Sequence, residues 1–162
     1  MIIISLNIKG VWGPPKHRAL CILLLSQRPS IILFQETMVS ADKAKDILIN
    51  ICPDWCIFTA NVVGRSWGLS MIWNPREDSL HSFSSTSGII LEGALRCFDG
   101  QVIIFNCYGP YQGQDNFWNH IVQSGLFNAQ NLILTGDLNF TTSINEVWGR
   151  GCHSYLSIPM IS

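Results

Sequence analysis

"LILTGDLNF", residues 132–140, is an apolar run that stops on Gly136 and then offers Asp137 and Asn139. The run has the length of a buried strand. Its polar end reads either as a turn, where Asp and Asn are common, or as the edge of an active site. If the strand continues, Asp137 and Asn139 are two residues apart and project to one face. Choosing between turn and site requires the rest of the chain.

Three other apolar runs end in the same kind of residue. "IIISLN" ends in Asn7, "IILFQE" in Glu36, and "IIFNCY" in Asn106 and Tyr108. Each has a structural reading of its own: Asn7 a turn, Glu36 a solvated carboxylate, Asp137 a turn cap, Tyr108 a core ring with its hydroxyl at the rim. Together they place amides and carboxylates at the ends of several strands, the usual place for a site in an open α/β sheet.

The remaining pattern supplies the layers. The first sixty residues read strand, helix, strand, helix. "KHRALCILLLSQR" has apolar residues at helical spacing and is closed by Pro29, and "SADKAKDILINI" begins on a Ser40 N-cap and runs to about Ile51. The middle is a series of short β-rich runs, "WCIFTANV", "WGLSMIWN", "LHSFSST", "GIILEGALRCF" and "QVIIFNCYGPY", separated by turn residues. Asp99-Gly100 is a hairpin signal. "DNFWNHIVQSGL" then predicts a helix ended by Gly125. This mixture predicts a sheet-rich α/β sandwich with helices outside. No G-x-G-x-x-G loop follows the first strand, which counts against a nucleotide-binding module.

The chain has 162 residues, 48% hydrophobic and 13% charged, with net charge −1. That is enough for one cored domain, and too apolar for disorder. Charge is scarcer than in a typical domain, as a missing part of the fold or a missing partner segment would explain. No global basic footprint for nucleic acid is present. Lys9, Lys16, His17 and Arg18 form the basic cluster nearest the strand-end residues and are expected to touch a DNA backbone. Trp67, Trp73 and Trp118 could stack on bases, but their strand and helix patterns favour core packing. The six cysteines read as thiols, several of them buried, and "CPDWC" lacks a second pair with metal spacing. The start "MIIISLN" has no charged n-region and no apolar run reaches ~18 residues, so neither a signal peptide nor a membrane span is expected. Nucleus or cytoplasm is the expected compartment.

The strand-end set suits one chemistry. Mg²⁺ takes hard oxygen ligands, few from protein and the rest from water and phosphate. Glu36 supplies a carboxylate and Asn7 a carbonyl. Asp137 can orient or deprotonate a water, Asn139 can hold a phosphate oxygen, and Tyr108 can donate to the oxygen on which charge develops. Such residues suit Mg²⁺-assisted phosphodiester hydrolysis.

The ordered motifs "SLNIKG", "ILFQET", "WGLSMIWN", "NCYGPY" and "LTGDLNF" resemble the endonuclease–exonuclease–phosphatase superfamily, which includes DNase I. "NIKGVWGPPKHRAL", "NCYGP" followed by "FWN", and "EVWG" after "GDLN" look most like the endonuclease domain of plant LINE-type retrotransposons. The resemblance implies a four-layered α/β sandwich of two packed mixed sheets with outer helices. It implies Mg²⁺ or Mn²⁺, with DNA as substrate. Carried over by position, Asn7 and Glu36 are the metal pair, Tyr108 contacts the phosphate, Asp137 positions or activates the nucleophile and Asn139 binds phosphate. No membrane or protein partner is implied.

The resemblance covers residues 1–150, and residues 151–162 form a divergent tail. The family's domain continues through further strands to a Ser-Asp-His motif that this sequence does not contain, and His153 reads as an exposed tail residue. The expectation is therefore a C-terminally truncated domain lacking the final strands, and an endonuclease that is weakened or inactive. A non-enzymatic remnant and an inositol or lipid phosphate phosphatase of the same superfamily are the alternatives.

Overall fold

Among the described residues, two four-stranded mixed sheets pack face to face, and helices cover their outer sides. The computed structural model describes residues 1–10, 13–61, 68–76, 78–85 and 87–139. The first sheet has the order β1 (Ile3–Asn7), β2 (Ile31–Gln35), β4 (Leu69–Trp73), β3 (Cys56–Ala60). The second runs β5 (Asp78–Ser85), β6 (Gly88–Leu95), β7 (Gln101–Tyr108), β8 (Leu132–Asp137). Each sheet contains one parallel pair, β1 with β2 and β7 with β8, and is otherwise antiparallel. Parallel neighbours need a crossover. Helix α1 (Pro14–Gln27) supplies it in the first sheet and helix α3 (Gln114–Gln123) in the second.

Period-two alternation sorts the strands into layers. Ile31, Leu33, Leu69, Met71 and Trp73 meet Ile89, Leu91, Leu95, Val102 and Ile104 between the sheets. The intervening Ile32, Phe34 and Ile72 face outward and pack with Leu20 of α1 and with Leu48 of α2 (Ala41–Ile51). On the opposite side Phe105 and Cys107 pack against Ile121 of α3. The four layers are thus helix, sheet, sheet, helix. All five residues of β2 are buried, because apolar layers lie against both of its faces.

Local chemistry explains the helix ends. Pro14 and Pro15 lie in the first turn of α1, where a missing N–H costs nothing and φ is preset. The helix therefore starts two residues before the Lys16 start read from sequence. It ends on Arg28 in the left-handed region, with the Arg28 N–H donating to the Leu24 carbonyl, just ahead of Pro29. The Ser40 hydroxyl caps α2 by accepting from the Lys43 N–H at 3.4 Å, as the sequence predicts. The Asp99-Gly100 hairpin differs from a two-residue turn. The β6–β7 loop first turns at Leu95–Phe98, with the Phe98 N–H on the Leu95 carbonyl, and Gly100 at φ 91° then delivers the chain to β7.

Trp73 is buried between the sheets and Trp118 packs from α3 onto the Phe105–Cys107–Ile121 cluster, so both belong to the core. Trp67 lies outside the described residues, as do Cys152, His153 and the whole 151–162 segment. Cys52 and Cys107 are buried thiols, whereas Cys21 and Cys97 are exposed despite their apolar surroundings in sequence.

Candidate active site at the ends of four parallel strands

The strand-end residues converge. Asn7, Gln35, Tyr108 and Asp137 are the last residues of β1, β2, β7 and β8. In register, Asn7 pairs with Gln35 and Tyr108 with Asp137. The same alternation that buries Ile31 and Leu33 turns Gln35 inward, and that of Val102 and Ile104 turns Asn106 and Tyr108 inward. The C-terminal ends of both parallel pairs therefore face each other across the gap between the sheets.

Three side-chain links cross that gap. The Asn7 Nδ2 donates to Asp137 Oδ2 at 2.6 Å. The Tyr108 hydroxyl donates to Glu36 Oε1 at 3.2 Å. Beneath them Gln35 Nε2 donates to Asn106 Oδ1 at 2.6 Å, and Asn106 Nδ2 reaches the Phe34 and Ser70 carbonyls at 3.2 and 3.3 Å. Gln35 Nε2 also reaches Ser5 Oγ at 3.1 Å. A fully satisfied buried network of this kind pins two surfaces in one relative position. Asn106 and Gln35 were not among the expected site residues. The signal was available, since both sit at inward positions of otherwise apolar strands.

Glu36 is 4% exposed, so its reading as a solvated carboxylate is corrected. The chain leaves β2 at Gln35 and turns through Glu36 at φ 55°, and the side chain meets the Tyr108 hydroxyl. Among the described residues its carboxylate partner is the Tyr108 hydroxyl. A buried carboxylate is costly without a compensating cation or further hydrogen bonds. A divalent cation fits the chemistry of this donor set, one buried carboxylate and the Asn7 amide oxygen at the end of the adjacent strand, with water and phosphate oxygens supplying its other ligands. The Tyr108 phenol titrates well above its ordinary range. Burial is the main cause, and a hydrogen bond with Tyr111 and the Glu36 charge add to it against an opposing contribution from Asn139. It is a proton donor at neutral pH. Tyr111, which lies just past the Gly109-Pro110 step, is a further site neighbour that sequence reading passed over.

The "GDLN" turn also differs from the simple strand-face expectation. β8 stops at Asp137, and Asn139 adopts φ 51°. Asp137 Oδ1 accepts the Asn139 N–H at 3.1 Å, closing a turn over one residue. Asn139 Nδ2 donates to the Gly109 carbonyl at 2.6 Å, and Gln114 Nε2 of α3 donates to the Asn139 carbonyl at 2.7 Å. Asp137 and Asn139 are thus brought together by a tied turn and not by strand alternation. "LILTGDLNF" is both a turn and a site edge. Gly109 lies so close to this turn that a Cβ on it would stand 2.1 Å from the Leu138 carbonyl oxygen.

Among the described residues, five non-glycine residues have positive φ: Lys9, Arg28, Glu36, Met38 and Asn139. All but the helix cap Arg28 lie in the two loops and the turn that frame these side chains. Sparsely populated backbone conformations cluster in this way at functional sites.

A family comparison decides what this architecture is. The description of the Endonuclease/Exonuclease/phosphatase family matches residues 4–157. The chain belongs to that family. No curated protein matches the sequence. Solved structures of similar fold include TDP2 from Caenorhabditis elegans, at 20% identity and TM-score 0.59, with 90% of this chain and 49% of that chain covered. The endonuclease domain of TRAS1, a telomere-specific non-LTR retrotransposon, is similar at 11% identity and TM-score 0.64, covering 88% of this chain and 62% of that one. ANGEL2, a 2′,3′-cyclic phosphatase, is similar at 13% identity and TM-score 0.54, covering 77% and 44%. The chain spans about half the length of the TDP2 structure it matches. These likenesses establish the fold. Family membership brings a general association with divalent metals.

Proposed function

We propose that the chain is a divalent-metal-dependent phosphodiesterase domain that cleaves DNA, of the kind carried by LINE-type retrotransposons of plants. One observation carries the reading: the Asn7–Asp137 and Tyr108–Glu36 pairs stand side by side at the ends of four strands, spanning the two sheets. The likeness to the TRAS1 endonuclease domain and the plant LINE-like motifs support the DNA substrate.

In this reading Glu36 and Asn7 hold Mg²⁺ or Mn²⁺, which when bound would offset charge on the scissile phosphate. Asp137, oriented by the Asn7 amide on one oxygen and the Asn139 N–H on the other, aligns the attacking water and accepts its proton. Tyr108, protonated throughout the neutral range, donates toward a phosphate oxygen. Asn139 holds the loop from which its own side chain can approach phosphate. In this reading residues 1–150 belong to the endonuclease/exonuclease/phosphatase-like domain, and residues 151–162 form a divergent tail.

The test is Mg²⁺- or Mn²⁺-dependent nicking of supercoiled plasmid, with Asp137→Ala and Glu36→Ala as controls. Nicking that requires both residues supports the reading. Nicking that survives both substitutions is contamination, and hydrolysis of inositol phosphates or 2′,3′-cyclic phosphates without any nicking favours the phosphatase alternative.

A further inference from the structure

We propose that Lys16 is a positioning residue whose ammonium acts as a built-in cation for the β1–α1 loop, holding Asn7 and Glu36 in register. The proposal replaces the expectation that Lys16 touches a DNA phosphate. Lys16 Nζ donates to the carbonyls of Ile8 at 2.7 Å and Lys9 at 3.2 Å, and also to that of Gly10. An ammonium has three protons, and three consecutive carbonyls take them.

The convergence has a backbone cause. Lys9 and Gly10 both have left-handed φ, 41° and 67°, which curls the peptide and aims successive carbonyl oxygens inward. Those oxygens repel one another unless a cation lies between them. Lys16 stands in the first turn of α1, at the positive end of the helix dipole, where a basic side chain is otherwise disfavoured. The carbonyl cage accounts for its placement there.

The clamped loop is wired to the proposed metal pair. The Lys9 N–H donates to Asn7 Oδ1 at 3.1 Å. The Ile8 and Gly10 N–H groups donate to the Gln35 and Glu36 carbonyls at 3.1 and 2.8 Å. Gly10 is buried against Met38, and a Cβ there would stand 2.5 Å from the Met38 sulfur. The Lys16 charge therefore fixes the loop that orients the Asn7 amide and the peptide that turns Glu36 inward. Lys9, exposed and with its own ammonium unengaged among the described contacts, remains the residue of this loop available to a phosphate.

The clamp itself stands on geometry, while its effect on metal binding rests on the reading under Proposed function. Amide exchange and Mn²⁺ titration separate the two. In Lys16→Met the Ile8 and Gly10 amides should exchange at least ~tenfold faster while the Ile104 amide in β7 keeps its protection. In Lys16→Ala, ammonium chloride should restore that protection where equal sodium chloride does not. Mn²⁺ affinity, read by electron paramagnetic resonance, should fall about tenfold, as for loss of a group that orients a ligand. Lys16→Gln serves for the same measurements if Lys16→Met does not fold. Unchanged exchange at Ile8 and Gly10 overturns the clamp. A salt slope of DNA binding that drops by about one in Lys16→Met assigns the ammonium to phosphate and also overturns it. If the unsubstituted chain binds no Mn²⁺, the metal reading fails and exchange alone decides the clamp.

Discussion

The amide of Asn7 and the carboxylate of Asp137 lie 130 residues apart in sequence and 2.6 Å apart in space. Neither is placed by its neighbours in sequence. β1 and β8 belong to different sheets, and the two residues meet because each is the last inward-facing residue of a strand in a parallel pair.

That contact predicts a separable effect on turnover. Asn7→Ala leaves Asp137 held by the Asn139 N–H alone, free to rotate away from the attacking water. The nicking rate should fall about 100-fold, the scale of a small misplacement of a reacting group, with little change in thermal stability because Asn7 is exposed. Circular-dichroism melting beside plasmid nicking checks this. A large drop in melting temperature would mean that the pair is structural.

Glu36 predicts an opposite response of stability and metal binding. Glu36→Gln removes a buried charge whose described partner is a single hydroxyl, so the metal-free protein should melt no lower, and the Gln side chain can still accept from Tyr108. The unsubstituted chain should gain melting temperature as Mn²⁺ is added, because a ligand that binds only the native state stabilises it. In the variant that gain should vanish. An equal Mn²⁺ shift in both proteins would remove Glu36 from the metal site.

The Gln35–Asn106 bridge predicts a purely structural cost. Asn106→Leu keeps the branched shape but leaves Gln35 Nε2 with Ser5 Oγ as its described acceptor and takes the Asn106 amide from the buried Phe34 and Ser70 carbonyls. One buried polar group left unsatisfied costs about 1–3 kcal/mol, so the variant should lose at least about 2 kcal/mol in urea unfolding. Gln35→Leu combined with Asn106→Leu should lose less than the sum of the single changes, since partners removed together leave fewer orphans. Strict additivity would show that the bridge carries no coupling.

Alkaline pH should weaken the fold through its buried thiols. Burial pushes the Cys107 thiol up to about 12 and the Cys52 thiol to about 11, the latter with a contribution from Cys21. The unfolded chain ionises at the ordinary thiol value, near 9.0, so above that pH it binds fewer protons than the native state. Stability is therefore fully present below about 9 and falls as pH rises toward 12. Each such thiol steepens the decline by about 1.4 kcal/mol per pH unit. Urea titrations between pH 8 and 11 should show a shallower decline in Cys107→Ala than in the parent. Identical slopes would mean that Cys107 ionises without unfolding.

Much of this was legible in the sequence because it is local. Apolar runs with period-two alternation mark strands wherever they pack. Ser40 caps a helix by accepting from a backbone N–H three residues on. Amides and carboxylates at the ends of apolar strands are visible for the same reason, and so Asn7, Glu36, Tyr108, Asp137 and Asn139 could be singled out together. The ordered motifs then pointed to the family whose description matches residues 4–157.

What tertiary structure alone decided were the partners. Strand periodicity tells which face a residue takes but not which residue stands opposite. That depends on sheet order, on register, and on how two sheets slide over one core. Hence Gln35 and Asn106 had no visible partner until the sheets brought them to 2.6 Å, and the burial of Glu36 beside the Tyr108 hydroxyl appeared only in the folded chain. Lys16 read as part of a basic patch because charge is visible in sequence. The left-handed turn at Lys9 and Gly10, which gives that charge three carbonyls to hold, is a property of the folded backbone.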